Sequence, residues 1–311
     1  MESSRASVLL LVLLGFPCAV NCAAQTTVLF DQSSKPHGDF SRLRQKAENG
    51  DPNAQFQVGV AYETGLGTNQ DYVEAAVWYR KAADHGNPGA QNNLGWLYSR
   101  GFGVEQSDLE AMKWYLRAAE EGHPAAQNNL GALYAAGRGV AQSDEAAVSW
   151  YRKAAAREYV PAETNLGLMY ATGRGVPLDG REAVKWYGKA SKAGFAPAEF
   201  NLGLMYFHGT GVSQDLAEAI KLFRKAAEHG SAAAENQLGF AYALGEGVPH
   251  NEVVAAQWYR TAAEHGSDEA RRNLRALESG QAVSDGASPA AGKSLADSGA
   301  GGKLSTTHVP R

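Results

Sequence analysis

The sequence predicts an all-α fold: a solenoid of antiparallel helix pairs, six full repeats long, with a half-repeat at each end. Three observations predict it. An alanine returns every 36 residues, at Ala54, Ala90, Ala126, Ala162, Ala198, Ala234 and Ala270, with no insertion between copies. Whole columns of other residues return with it, and a fixed period of this length marks one supersecondary unit stacked on copies of itself. Within each period two runs of residues recur at helical spacing, and glycines separate them. A chain of this kind presents a long surface rather than a cleft built by distant segments, which points to recognition rather than chemistry.

The first helix of a unit opens on an N-cap followed by proline in Asp51-Pro52 and Asn87-Pro88. After the marker alanine comes Asn-Leu-Gly, as in Asn93-Leu94-Gly95, Asn129-Leu130-Gly131, Asn165-Leu166-Gly167 and Asn201-Leu202-Gly203. Gln57-Val58-Gly59 and Gln237-Leu238-Gly239 are close variants. A tyrosine follows three residues later, at Tyr62, Tyr98, Tyr134, Tyr170, Tyr206 and Tyr242. Alanine, leucine and tyrosine lie four apart and share the core face. A glycine inside a helix costs about 1 kcal/mol against alanine, so its recurrence predicts close approach by a neighbouring helix. Two further glycines, such as Gly101 and Gly103, end the helix: the first for a left-handed cap, the second to let the loop turn back. Gly-x-Gly also occurs in phosphate cradles, but no Lys-Ser or Lys-Thr follows here.

The second helix starts at a column of N-caps, Asp71, Ser107, Ser143, Asp179, Asp215 and Asn251. Glu74, Glu110, Glu182 and Glu218, three residues on, complete capping boxes, while Ala146 and Val254 predict weaker starts in their units. An aromatic pair follows: Trp78-Tyr79, Trp114-Tyr115, Trp150-Tyr151, Trp186-Tyr187, Leu222-Phe223 and Trp258-Tyr259. Five of the six tryptophans fall in this column, which marks it as core. Gly86, Gly122, Gly194, Gly230 and Gly266 end the helix; Glu158 stands there in the third unit and predicts an irregular end or a different turn. Phe40, Leu43 and Ala47 read as a leading second helix, and Ala270, Asn273 and Leu274 as a trailing first helix. In that last helix Arg271, Arg272 and Arg275 supply the polar cap that a solenoid end needs.

The termini read differently. Residues 1–24 carry the pattern of a secretory signal: Arg5, an apolar run from Val8 to Leu14, small residues, and a cleavage point at Ala24 before Gln25. The run is shorter than the roughly 20 residues of a membrane span. Lipidation at Cys18 or Cys22 is the weaker reading, because Pro17 and Asn21 stand where a small residue is needed. Residues 25–38 form a leader, 39–278 the solenoid, and 279–311 a Gly/Ser/Ala-rich flexible tail. Both cysteines lie in the signal, so the mature chain has no disulfide, thiol nucleophile or thiolate metal site. A net charge of −4 without a basic stripe speaks against a nucleic-acid partner.

The pattern Ala-x-x-Asn-Leu-Gly-x-x-Tyr-x-x-Gly-x-Gly-Val, then Asp, then Ala-x-x-Trp-Tyr-x-Lys-Ala-Ala, resembles the Sel1-like repeat family, a relative of tetratricopeptide repeats. The resemblance covers Phe40 to Leu277. It implies a right-handed superhelix that serves as a protein-binding scaffold, in adaptors of signalling, of secretory quality control and of bacterial envelopes. A cysteine-rich secreted branch of that family looks like a penicillin-binding or weak β-lactamase group. This chain departs from that branch, lacking mature cysteines and any Ser-x-x-Lys.

No Gly-x-Ser-x-Gly elbow and no His-Glu-x-x-His helix occurs, so no catalytic residue, metal or cofactor is expected. His85, His229 and His265 recur before the capping glycine, where a cation favours the helix dipole. The face of the first helices opposite the core lines the concave side in related solenoids. It holds the candidate partner-binding residues Phe56, Asn92, Trp96, Arg100, Asn128, Leu168, Phe200, Leu204, Phe207, His208 and Phe240. Large apolar residues and arginine there match interface hot spots; the competing reading packs them on one another inside the groove. Arg138 and Arg174, between loop glycines, read as solvated charges. Asn93, Asn129, Asn165 and Asn201 read either as a ladder gripping a peptide or as an internal clamp onto the next helix's backbone. The expectation is an exported, monomeric, non-catalytic adaptor for a protein or peptide. The alternatives are a β-lactam-binding envelope protein and an end-to-end scaffold, the latter opposed by the charged Arg271–Arg275 end.

Overall fold

The computed structural model describes residues 36–283, which form fourteen helices and no strand. A half-unit, α1 (Pro36–Glu48), leads. Six pairs follow: α2 (Pro52–Thr64) with α3 (Tyr72–Asp84), α4 (Pro88–Arg100) with α5 (Asp108–Glu120), α6 (Pro124–Ala136) with α7 (Asp144–Ala155), α8 (Val160–Thr172) with α9 (Gly180–Ser191), α10 (Ala196–His208) with α11 (Leu216–Glu228), and α12 (Ala232–Leu244) with α13 (Glu252–Glu264). The half-unit α14 (Asp268–Glu278) closes the array. Each helix packs chiefly on its neighbours in sequence, as a solenoid requires. Helix α1 begins at Pro36, three residues before the expected boundary. The signal, most of the leader and the tail beyond residue 283 lie outside the described residues.

The core is built where the columns place it. The marker alanines are buried, and Leu94, Leu130, Leu166 and Leu238 are fully so. The in-helix glycine has a definite cause: a Cβ on Gly131 would lie 2.7 Å from the Tyr151 ring. The same clash recurs in every unit, with Phe223 replacing tyrosine opposite Gly203. The second-helix ring lies flat on the first-helix backbone, and only glycine leaves room. The aromatic pair therefore divides. Its second member is the true core, with Tyr79, Tyr187, Phe223 and Tyr259 sealed from solvent. The tryptophan column is less buried than expected: Trp78 and Trp114 are interior, but Trp150, Trp186 and Trp258 are only partly covered. Lysine and arginine stems shield several of these indoles, as with Lys153 at 3.7 Å from the Trp150 ring centre.

Helix starts differ from expectation in one respect. All six N-cap side chains accept from a backbone N–H of the first turn. The reciprocal half of the capping box is absent, because the N-cap N–H already donates to the carbonyl of the preceding tyrosine, as from Ser107 to Tyr98 and from Asp179 to Tyr170. Glu110, Glu182 and Glu218 instead pair with Lys113, Lys185 and Lys221 one turn on. Ala146 and Val254 therefore lose no capping bond that other units have, only this exposed Glu–Lys pair, so the weaker starts predicted from a broken capping box do not follow. Glu158 is the second correction: the turn keeps its shape, and Glu158 itself takes the left-handed conformation at φ 59°. Helix α7 stops at Ala155 and hands on to α8 through the same Tyr159 N–H to Ala154 carbonyl bond that other units make at this position.

Candidate functional site

Packing within the chain takes up six of the expected groove residues. Asn92 and Asn128 are almost fully buried and belong to a side-chain ladder. Asn129 Nδ2 donates to Asn92 Oδ1 at 3.1 Å, Asn165 to Asn128 at 2.8 Å, and Asn273 to Asn236 at 3.1 Å. The asparagines are thus an internal clamp, closed side chain to side chain rather than onto a neighbour's backbone. At the first junction Phe56 replaces the acceptor, and Asn93 donates to the Tyr79 hydroxyl at 3.1 Å. Phe200, Leu204, Phe207 and Phe240 are buried as well, with Phe200 and Phe207 packed on Phe223 at 5.8 and 6.1 Å between ring centres. The cause is a paired exchange. In the first unit Tyr79 donates to Glu63; four repeats on, the equivalent residues are Phe223 and Phe207, and a polar contact has become an apolar one.

Four candidates keep exposed surface. Arg100 is exposed and makes no hydrogen bond or ion pair among the described residues. Trp96, Leu168 and His208 are partly exposed, His208 edge-on to Phe207. Phe56 is intermediate: it lies against Tyr79 and over Gly89 of the next unit, where a Cβ would meet its ring at 3.1 Å.

Trp96 does not stand alone. Its ring meets Phe102 at 5.3 Å, and Phe102 stacks on Tyr72 at 4.9 Å. Phe102 lies between loop glycines and is 39% exposed. The loop comes this close because Gly103 has no side chain: a Cβ there would sit 2.2 Å from the Tyr72 carbonyl. Sequence reasoning missed Tyr72 and Phe102 because neither lies on a first-helix face. It also misread their equivalents one and two units on. Arg138 grips Asp108 through Nε at 3.0 Å and Nη2 at 2.6 Å, and Arg174 grips Asp144 at the same distances. Each also donates to a carbonyl of the preceding unit, Ser99 and Ala135 respectively. These arginines are staples between repeats, not solvated charges. The legible signal was a constant separation of 30 residues linking Tyr72 to Phe102, Asp108 to Arg138 and Asp144 to Arg174.

Two of the three recurring histidines follow the same offset, while His85 bonds the Lys81 carbonyl of its own helix. His229 meets the buried Glu199 at 2.7 Å and His265 the buried Glu235 at 2.9 Å, so both act as partners of interior carboxylates. Glu163 takes Lys189 instead, at 2.7 Å. In the first three units glutamine fills the carboxylate position and donates to a backbone carbonyl. Burial raises the Glu63 carboxyl above its ordinary range, against the opposing hydrogen bond from Tyr79. Burial also lowers the titration of His123, whose Nδ1 accepts from the Ala126 N–H and caps α6 in the neutral form. Among the described residues no three His, Cys, Asp or Glu come together to hold a metal, and no helix is long and apolar enough to cross a membrane.

Comparison with known proteins agrees with this architecture. The Sel1 repeat family model matches six consecutive segments, residues 52–87, 88–123, 124–159, 160–195, 196–231 and 232–267. A comparison with curated proteins finds no match. Among solved structures, a Sel1 repeat protein from Oxalobacter formigenes is 36% identical, with a TM-score of 0.66 over 78% of this chain and 70% of that one. A protective antigen of uropathogenic Escherichia coli with an SLR fold is 34% identical, with a TM-score of 0.67 over 80% of this chain. The present chain spans 54% of that antigen's length. Six matched repeats in unbroken register, on a solenoid whose every junction uses them, place this chain in the Sel1 repeat family.

Proposed function

We infer that this protein is an exported, monomeric, non-catalytic adaptor that binds a protein or peptide along the first-helix side of its solenoid. The observation that carries the reading is the exposed aromatic surface of Trp96 and Phe102, with the free guanidinium of Arg100 one turn from the indole. Aromatic side chains and arginine supply most of the energy in interfaces, and stacked repeats hold them without the ordering cost of a loop. Leu168 and His208 extend the same side toward the later units. Export rests on the Arg5-led apolar run and the small residues before Gln25.

A photoreactive residue at Trp96 or His208, with the full-length chain expressed in its own host, tests the reading. A specific crosslinked protein is expected at these sites and not at Lys113, on α5. Equal capture at Lys113, or none at either groove position, would overturn it. N-terminal sequencing of the exported product is expected to begin at Gln25.

A further inference from the structure

The turns that join each second helix to the next first helix share a pattern, and two adjacent turns break it together. The second helix ends on an acid at Glu48, Asp84, Glu120, Glu228 and Glu264; Ala156 and Lys192 stand in that column at the ends of α7 and α9. The first helix then opens on a polar cap, and Asp51, Asn87, His123, Ser231 and Ser267 each accept from a first-turn N–H. At the same two turns this column holds Tyr159 and Phe195, and neither side chain caps its helix. The Ala162 and Ala198 N–H groups turn back to the Tyr159 and Phe195 carbonyls instead, both at 2.9 Å. Both rings are partly exposed, and the left-handed Glu158 lies beside the first of them. Helix formation gains nothing from these exchanges, since a cap is given up twice and a glycine once. Aromatic side chains kept partly in water in place of caps mark a contact surface.

The charges around the two rings indicate what covers them. Arg157 and Lys192 are exposed at the two turns, and Lys153 lies one turn back on α7 against the Trp150 ring. These three cations make no hydrogen bond or ion pair among the described residues. Of the remaining cations, Arg152 donates to the Tyr170 hydroxyl, Lys189 pairs with Glu163 and Lys185 with Glu182. The opposing acids are the exposed Glu158 and the buried Glu163 and Glu199, the last facing His229. Helices α8 and α10 carry no other carboxylate. The flanking turns leave the excess in place, with Arg117 beside Glu120 and Glu121 on one side, and Arg224 and Lys225 beside Glu228 on the other. The surface is therefore cationic around two aromatic rings, complementary to a segment with carboxylates around an apolar anchor. Its open cations are fewer than the about four to eight that hold a protein on anionic lipid.

We propose that the edge formed by Arg157, Tyr159, Lys192 and Phe195 docks an acidic peptide segment with an apolar anchor. This edge lies at the N-terminal ends of α8 and α10, whereas Arg100 and His208 end their helices, so it is a second surface and does not rest on the groove reading. Two designed peptides test it, of equal length and identical Leu/Phe positions, one with aspartate and one with lysine at the polar positions. Binding is read by fluorescence anisotropy with the full chain. The aspartate peptide is expected to bind, to weaken with salt, and to exceed the lysine peptide by about tenfold or more. Phe195→Ser installs the capping residue that Ser231 and Ser267 supply in this column. It is expected to keep the melting temperature and lose about tenfold in affinity. Arg157→Glu with Lys192→Glu installs the residues of Glu121 and Glu228 at these positions and is expected to abolish the preference for aspartate. Binding of neither peptide, equal binding of both, or indifference to either variant would overturn the proposal. So would binding to phosphatidylglycerol vesicles in place of the aspartate peptide. Crosslinking at Trp96 or His208 reads the groove separately, so either reading can fail alone.

Discussion

At the scale of single residues, the departures of Glu158 and His123 from their columns each have a measurable consequence. Glu158 holds a left-handed conformation that glycine holds in the other units. A non-glycine residue there carries a steric cost of about 1 kcal/mol. Glu158→Gly is expected to stabilise the protein by up to that amount in urea unfolding, less the greater chain entropy that glycine loses on folding. His123 caps α6 only while Nδ1 is unprotonated. Its folded-state titration lies below the ordinary value of about 6.5, so the unfolded chain binds the proton more readily. The stability it confers is full above about pH 6.5 and is lost as pH falls through the folded value. His123→Asn keeps a cap without a titrating group, and its stability is expected to fall less than wild type's between pH 7 and 5. Equal slopes would refute the capping role.

Elements hold together through contacts that repeat at fixed offsets. Arginines of one second helix donate to the tyrosine hydroxyl of the next first helix, as Arg152 to Tyr170 at 2.9 Å and Arg224 to Tyr242 at 3.0 Å. The asparagine ladder closes three of the junctions and the loop ion pair two. Of the ion pairs, Arg174 with Asp144 is bidentate and about three-quarters covered on both sides, whereas Lys185 with Glu182 is a lysine pair on an open helix face. A double-mutant cycle on Arg174 and Asp144 is expected to give a coupling of about 1 kcal/mol, and one on Lys185 and Glu182 a smaller value. Equal couplings would show that the loop staple is ordinary surface charge. The loop glycine makes the same close approach at Gly103, Gly139, Gly175 and Gly211 whether the staple is aromatic, ionic or missing, so the exchange to Tyr72 and Phe102 changes surface chemistry and not architecture.

Across the whole molecule the junctions are unequal. Between α9 and α10 all three recurring links are missing among the described residues: Gly188 stands in the arginine column, Gly180 and Thr210 replace the staple, and Thr164 faces Asn201 where the ladder would close. The joint rests on apolar packing of Tyr187, Leu202, Met205 and Leu222. In a solenoid whose stability is a sum over neighbours, the weakest interface decides where it opens. Hydrogen exchange is expected to divide the chain there, with units one to four protected as one body and five and six as another. Gly188 has open space around its Cβ position and no left-handed backbone. Gly188→Arg is therefore expected to stabilise by about 1 kcal/mol, from helix propensity and a donor for Tyr206. A uniform exchange pattern would show that the missing links carry no weight.

The sequence alone determined the repeat, its two helices, the second-helix N-caps and the alanine, leucine and glycine columns of the core, because a 36-residue period averages local signals over six copies. Alanine, leucine and glycine columns translate directly into faces and close approaches. Tertiary structure decided what the variable positions do. Phe200 and Phe207 read as groove residues until Phe223 is seen beneath them, and Arg138 and Arg174 read as loose charges until Asp108 and Asp144 lie opposite. Such pairs join residues of different columns, 16 to 37 positions apart in the chain, and a reading taken column by column does not connect them. The aromatic edge at Tyr72, Trp96 and Phe102 is of the same kind: three residues from a helix start, a helix face and a loop, brought together only by the stacking of one unit on the next.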